Sequence, residues 1–144
     1  MNYSLTIKII LILLFIYLLI IFYVYTKQRS LLYVPQIDNY DDELLIIPAE
    51  QVFIENSSNI KLRSIFYKHP SNTKTTLLMF HGNAGPIENR FYKINKLSKY
   101  DQNILLISWR SYSGNDGEPT EDGLYDDARS CLLYTSDAAD ESSS

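Results

Sequence analysis

The chain opens with a long apolar run. Residues 9–25 read IILILLFIYLLIIFYVY and contain no charged residue, glycine or proline. Extended back to residue 5, with Lys8 reaching outward along the helix, the run forms a helix of about 32 Å. That length is close to the ~30 Å hydrocarbon core of a bilayer. We therefore predict a transmembrane helix over residues 5–25.

A cleaved signal peptide and a buried core helix are the alternatives to a membrane anchor. The run is longer than the ~7–15 residues of a signal-peptide core, and no small-x-small cleavage site precedes Lys27. A helix that is apolar on all sides needs a larger protein around it to be buried. The anchor is therefore favoured, but Lys8 on one side and Lys27 and Arg29 on the other leave its orientation and compartment undetermined.

Beyond the anchor, short apolar runs alternate with polar turns. Residues 26–48 are largely polar in their first part and contain Pro35, which predicts a juxtamembrane linker. Two short strands are predicted next, over Ala49–Glu55 and Leu62–Lys68. The continuous run Thr75–Phe80 is typical of a strand buried on both faces.

A helical period follows. Apolar residues recur at i, i+4, i+7 and i+10 and predict an amphipathic helix over Pro86–Tyr100: Ile87, Phe91, Ile94 and Leu97. A further apolar run, Ile104–Ile107, predicts the next strand. Strand, helix and strand form a βαβ unit with parallel strands. We therefore predict an α/β fold, with an N-terminal transmembrane helix followed by the first part of a parallel sheet over residues 49–130.

Composition narrows the function classes. The 144 residues allow at most one ordinary domain, and the net charge of −4 gives no basic surface for nucleic acid. Cys131 is the only cysteine, which excludes an internal disulfide framework and a cysteine-rich zinc site. We predict no cofactor and no metal.

Two glycine-containing turns follow the predicted strands of the βαβ unit. The first is Phe80–Gly85 (FHGNAG), and the second is Trp109–Pro119 (WRSYSGNDGEP). Ligands in open parallel sheets bind at the carboxyl ends of the strands, where both turns are expected. A plain connecting turn is the alternative for either segment, and a phosphate loop is disfavoured because no G-K-S/T follows the glycines. Thr120 is expected to cap the helix that begins near Glu121.

Together the two segments carry a resemblance. FHGNAG, then a helix, then ILLISWRSYSGNDGEPTEDGLYDDA resembles the α/β-hydrolase fold over about residues 77–128. More narrowly, it is similar to the membrane-anchored α/β-hydrolase domain-containing proteins related to the fungal bud-emergence protein, serine aminopeptidase-like hydrolases with the pattern HGNAG, then Y-R-G-Y-G-x-S-x-G-x-P-x-E-x-G-L. Trp109, Ser111 and Ser113 depart from that pattern, and a serine that adopts the positive φ of a glycine is strained.

The resemblance implies roles for individual residues. The backbone N–H of Asn83 matches the first donor of an oxyanion hole, the site that stabilises the negative oxygen formed during acyl transfer. His81 matches the structural histidine of the motif and is not expected to act as a catalytic base. Gly82, Gly85 and Arg110 are expected to have structural roles, and His69 is interpreted as an ordinary surface residue.

The catalytic triad that the resemblance implies cannot be placed in this sequence. No G-x-S-x-G occurs, and no histidine follows His81. We therefore expect an N-terminal fragment that is itself inactive. Residues 131–141 (CLLYTSDAADE) can be encoded by DNA that resembles a transposase adapter for sequencing libraries, which predicts that 131–144 is a non-native tail. The alternative is a native helix end followed by an acidic, serine-rich tail.

Three functions remain open. The first is a membrane-anchored serine hydrolase that contacts the lipid bilayer through residues 5–25 and acts on an ester, thioester or amide of a small acyl-type or lipidated substrate. The second is a non-catalytic scaffold with the same fold. The third is a small single-pass membrane protein that is complete as given.

Overall fold

The computed structural model describes residues 3–36 and 46–141. Within that part, the chain separates into two compact units, one up to Leu32 and the other from Tyr33 onward. The first unit is helix α1, Tyr3–Leu32. The predicted 26–48 linker is therefore helical over its first residues, and its 37–45 portion lies outside the described residues.

Helix α1 has the length and composition of a membrane span. Its candidate span, Ser4–Leu32, has a mean hydropathy of 3.0, and its apolar residues occupy all faces. It is the one helix in the described ranges that passes this test, which a signal sequence or the core helix of a soluble protein can also pass. Length and hydropathy therefore allow an anchor without demonstrating one.

The second unit is built on a four-stranded sheet. Its strands are β1 (Glu50–Glu55), β2 (Lys61–Tyr67), β3 (Thr76–Phe80) and β4 (Asn103–Ile107), in the order β1-β2-β4-β3. Strands β3 and β4 are parallel, as the βαβ pattern predicts. Strand β2 pairs antiparallel with both β1 and β4, so the sheet as a whole is mixed.

Strand β4 lies at the centre and is buried along its whole length. Its alternate residues contribute to two apolar layers. The first layer combines residues of β2 and β4 with residues of the segment that connects β3 to β4: Ile65, Tyr67, Ile104 and Leu106 from the strands, and Ile87, Phe91 and Ile94 from the connection. The second layer contains Cys131 together with Ile54, Leu62, Leu105 and Ile107. Burial raises the pKa of the Cys131 thiol to about 12, so it is uncharged near neutral pH.

Strand β3 was expected to be buried on both faces, and this expectation was wrong. Residues 76–79 are only half-buried, and Phe80 is 40% exposed. The reason is position, because β3 is an edge strand in the described sheet and pairs with β4 alone. An apolar strand at an edge exposes unpaired backbone groups as well as apolar side chains.

One of the two helices predicted after β3 differs from its predicted range, and the other begins where it was predicted. The helix predicted over Pro86–Tyr100 is divided into a 3₁₀ turn, Ile87–Arg90, and helix α2, Phe91–Leu97. Helix α3 spans Glu121–Glu141. Thr120 caps it as predicted, because its hydroxyl accepts the N–H of Gly123 at 3.0 Å.

Candidate functional site

The candidate site is formed by two loops at one edge of the sheet. Residues 81–86, the histidine–glycine loop, follow β3, and residues 108–120, the arginine loop, follow β4. Because β3 and β4 are parallel neighbours, their carboxyl ends meet at the same edge. The rings of Phe80 and Trp109 stack there, with centroids 4.7 Å apart. The two segments that the sequence singles out are therefore adjacent in space.

His81 joins the two loops through both ring nitrogens. Its Nδ1 lies 2.7 Å from the carbonyl oxygen of Gly82, and its Nε2 accepts the backbone N–H of Trp109 at 3.2 Å. The indole N–H of Trp109 donates to the His81 carbonyl at 2.9 Å. A carbonyl accepts only from a protonated nitrogen, and an N–H donates only to an unprotonated one. These partners therefore assign the neutral ring with its proton on Nδ1.

Electrostatics agree with a neutral ring. His81 is 6% exposed. Burial lowers its pKa below the ordinary value of 6.5; the Gly82 carbonyl opposes this shift, and the positive charge of Arg90 adds to it. A charged imidazole is disfavoured at this position because the surrounding protein replaces water.

Asn83 is held by its carbonyl oxygen. The Tyr112 hydroxyl donates to that oxygen at 2.8 Å, and the backbone N–H of Val34 donates to it at 3.1 Å. Tyr112 is 1% exposed and packs edge-on against His81 at 4.9 Å between ring centroids. The segment that contains Val34, before the undescribed residues 37–45, is thereby fixed to the histidine–glycine loop.

The two glycines of this loop differ in their surroundings. Gly82 is exposed, and a Cβ there would meet nothing within 4 Å. Gly85 is buried with φ of +79°, and a Cβ would lie 3.0 Å from the Asn89 side-chain nitrogen. A left-handed backbone in a crowded position requires glycine at residue 85.

Arg110 is the centre of a buried ionic network. Its side chain is 8% exposed and donates to Asp127, which is fully buried, at 2.7 Å from Nη2 and 3.0 Å from Nε. Its backbone N–H donates to the same carboxylate at 3.0 Å. The Asn56 side-chain amide also donates to Asp127, at 2.7 Å. The network therefore connects the arginine loop, helix α3 and the β1–β2 turn.

A second carboxylate extends the network toward solvent. Asp126 accepts from Arg110 Nη2 at 3.2 Å, and from the hydroxyls of Ser57 and Ser58 at 2.5 Å and 2.8 Å. The Ser57 hydroxyl is the largest cause that lowers the pKa of Asp126. Hydrogen bonding to Asp127 is the largest cause that raises the pKa of Arg110, so the guanidinium remains charged.

The serines that replace glycines in the arginine loop have left-handed backbones. Ser111 has φ of 70° and Ser113 has φ of 50°. Both serines therefore have the backbone strain that a residue with a side chain incurs at positive φ. Ser113 has a compensating contact, because its buried hydroxyl accepts the N–H of Ile87 at 2.9 Å.

A second grouping of serine, histidine and aspartate lies at the opposite end of the sheet. His69 Nδ1 is 2.7 Å from the Ser71 hydroxyl, which also donates to Asp101, and the same nitrogen is 3.5 Å from that carboxylate. In a catalytic triad the serine and the carboxylate bind different ring nitrogens. Here both approach Nδ1, so the grouping is a turn contact and not a triad.

Asn56, Asp126 and Asp127 were not predicted as site residues from the sequence. Asn56 and Asp127 are 71 positions apart, and no local pattern connects them. The sequence feature that could have indicated this network is Gly123, a glycine within helix α3 and one helical turn before Asp127. The structure explains the glycine, because a Cβ there would lie 2.5 Å from Arg110 Nη1. Among residues 3–36 and 46–141, no group of three or more His, Cys, Asp or Glu could hold a metal ion.

Sequence comparison finds relatives over most of the chain, although no protein-family profile matches it. The uncharacterized protein Rv2307c of Mycobacterium tuberculosis is 29% identical over 123 residues, which cover 84% of this chain and 44% of that protein. The alpha/beta hydrolase domain-containing protein WAV2 of Arabidopsis thaliana is 29% identical over 78% of this chain and 39% of its own length. Protein bem46 of Schizosaccharomyces pombe is 28% identical over 78% of this chain and 40% of its own. The chain therefore spans about two fifths of these relatives' length.

Structural comparison gives a similar coverage. The esterase Pf2001 of Pyrococcus furiosus superposes with a TM-score of 0.58 at 18% identity, over 73% of this chain and 40% of the esterase. At this identity the likeness concerns the fold. It confirms the predicted α/β class, with a sheet that is incomplete relative to the esterase.

Proposed function

We propose that this chain belongs to the α/β-hydrolase superfamily, because WAV2 and bem46 are among its relatives, and that the full-length protein is a membrane-anchored serine hydrolase. Its substrate is an ester, thioester or amide of a small acyl-type or lipidated molecule. The observation that carries the proposal is the histidine–glycine loop, which lies at the carboxyl end of β3 and is held there by the arginine loop.

The chemistry assigned to this loop is stabilisation of an oxyanion. Attack of a serine on a carbonyl carbon moves negative charge to the carbonyl oxygen, and preorganised N–H donors stabilise that charge. We assign one donor to the backbone N–H of Asn83. The serine, histidine and carboxylate of the triad belong to sequence beyond about residue 130 of the full-length protein. Hydrogen bonds to the carbonyl of Asn83 support the assignment, because they preorganise the donor segment.

The anchor is proposed from helix α1. Residues 5–25 lie within its apolar span and would contact the bilayer as a single membrane-spanning helix. Membrane location would suit a lipidated substrate, whose acyl chain partitions into the same bilayer. Partition of the expressed chain into the membrane fraction, and its resistance to carbonate extraction, test this part directly.

The test of catalysis uses the full-length protein in detergent, a fluorophosphonate probe and p-nitrophenyl esters. Asn83→Pro removes the N–H and should lower turnover by roughly 10²–10³. Asn83→Ala keeps the N–H and should be much milder. Circular dichroism and thermal unfolding show whether each variant is folded. Equal losses in two folded variants would assign the effect to the side chain and contradict the assignment. The 144-residue chain alone should give neither labelling nor turnover.

A non-catalytic scaffold is the second candidate. The strained serines favour it, because Ser111 and Ser113 replace glycines of the pattern next to the proposed site. A folded full-length protein that neither reacts with the probe nor hydrolyses esters would favour the scaffold over the enzyme.

A further inference from the structure

We propose that His81 is a positioning residue, which fixes the direction of the Asn83 N–H by holding the peptide group between Gly82 and Asn83. The inference deepens the proposed function and rests on it. It assigns to the ring a role in turnover that is separate from proton transfer. The ring acts through a backbone carbonyl and does not itself contact the substrate.

The peptide group between Gly82 and Asn83 is held by the His81 ring. The carbonyl of Gly82 and the N–H of Asn83 belong to one planar trans unit, in which the two bonds point in opposite directions. His81 Nδ1 lies 2.7 Å from the Gly82 oxygen. That hydrogen bond directs the carbonyl toward the ring, and the Asn83 N–H must then point away from it. Rotation of this peptide would require the hydrogen bond to break.

The ring itself is immobilised. Its Nε2 accepts the Trp109 N–H at 3.2 Å, and the Tyr112 ring packs against it edge-on. The partners of the two nitrogens are a carbonyl and an N–H, and only the neutral Nδ1–H form satisfies both. A proton on Nε2 would oppose the N–H of Trp109. The charged group that acts on the ring is Arg90, whose guanidinium donates to the Ala84 carbonyl at 3.1 Å and disfavours a second positive charge.

The next peptide is fixed as well. The carbonyl of Asn83 accepts from the Tyr112 hydroxyl and the Val34 N–H. The peptide groups on both sides of the Asn83 Cα are therefore held by partners outside the loop. Such double anchoring is the arrangement that a preorganised oxyanion donor requires, because the donor must not reorient as charge develops. A plain connecting turn has no need of it.

The test compares three His81 variants in the full-length protein. His81→Asn keeps a side-chain N–H near the position of Nδ1, whereas His81→Gln keeps an amide near Nε2 and His81→Phe keeps neither. We expect His81→Asn to retain most of kcat. The Gln and Phe variants should each lower kcat by roughly 10²-fold with little change in KM, since a small misplacement of the donor affects the transition state. His69→Asn is the matched control and should leave kcat unchanged.

A spectroscopic measurement decides independently of activity and of variant folding. Long-range ¹H–¹⁵N spectra of the ¹⁵N-histidine-labelled wild-type protein should show His81 as the Nδ1–H tautomer at neutral pH. An Nε2–H or charged ring would overturn the positioning role, as would a folded His81→Asn protein as impaired as His81→Phe. A folded wild-type protein with no turnover refutes the proposed function itself, and the positioning role falls with it.

Discussion

Asp126 and Asp127 are neighbours on helix α3 that bind the same arginine, and we predict very different consequences of replacing each by asparagine. Asp127 is fully buried, and each of its oxygens accepts a hydrogen bond from Arg110. Asparagine has one oxygen, so its NH₂ group would face a donor whichever way it turns. Breaking a buried ion pair from one side costs about 3–5 kcal/mol. At about 1.4 kcal/mol per tenfold change, Asp127→Asn should lower the folding equilibrium constant by roughly two to three and a half orders of magnitude.

Asp126 is the matched control. Its side chain is 18% exposed, so water can satisfy a group left unpaired beside Arg110 Nη2 or the Ser57 N–H. The hydroxyls of Ser57 and Ser58 can also rotate to accept from an NH₂ group. Asp126→Asn should therefore cost about 1 kcal/mol or less.

The assay for both variants is urea unfolding of the full-length protein, analysed by linear extrapolation with m compared between variants. Equal losses at the two positions, or a loss below about 1 kcal/mol for Asp127→Asn, would refute the argument from burial. The dependence of stability on pH gives a second test. Because the pKa of Asp126 is lowered in the folded state, its contribution to the free energy of unfolding is present above pH 3.8 and is lost as the pH falls through the folded pKa. Asp126→Asn should remove that component of acid sensitivity.

Four further substitutions give predictions for single residues. Ser111→Gly should stabilise the protein by about 0.5–1 kcal/mol in urea unfolding, since relief of left-handed strain exceeds the added entropy of the unfolded chain. Ser113→Gly should give no gain because its hydroxyl also accepts a backbone hydrogen bond; equal gains would contradict this. Gly123→Ala should cost about 1–3 kcal/mol, because the new Cβ would lie 2.5 Å from Arg110 Nη1, and an unchanged unfolding midpoint would contradict it. The pKa of His81 is lowered in the folded protein, so its contribution to the free energy of unfolding is complete above pH 6.5 and declines as the pH falls below that value. The wild-type protein should therefore lose more stability on acidification than His81→Asn.

Sequence periodicity predicted the βαβ unit because its signals are local. Each signal is a short stretch of sequence: the apolar runs that become β3 and β4 are a few residues long, and the apolar stripe that begins at Ile87 covers about three helical turns. Periodicity did not predict that β2 pairs antiparallel with β4, since alternation along a strand encodes neither partner nor direction. It also overestimated α2, where the residues after Pro86 form a 3₁₀ turn and the α-helix ends at Leu97.

For the candidate site, the sequence likewise predicted some features and not others. Glycine spacing and the resemblance placed both loops, and His81, Asn83 and Arg110 all lie where those loops meet. The partners of Arg110 could not be predicted, because Asp127 is on a helix whose pattern gives no reason to bury a carboxylate. Trp109 departs from the expected tyrosine, and the structure supplies a physical reason: its indole N–H donates to the His81 carbonyl. Single-sequence patterns therefore located the loops but not the contacts that hold them.

The distance along the chain between Asn56 and Asp127 also imposes a delay during synthesis on the ribosome. Ribosomes add roughly 5–20 residues per second, so the 71 positions between them take about 4–14 s to synthesise. During that interval the β1–β2 hairpin exists without the carboxylate that its turn amide binds. Slow codons between these positions would lengthen the time in which the nascent hairpin is open to chaperones or proteases. Synonymous substitutions that change only the speed of translation there should therefore alter the yield of folded protein while leaving the stability of the finished product unchanged.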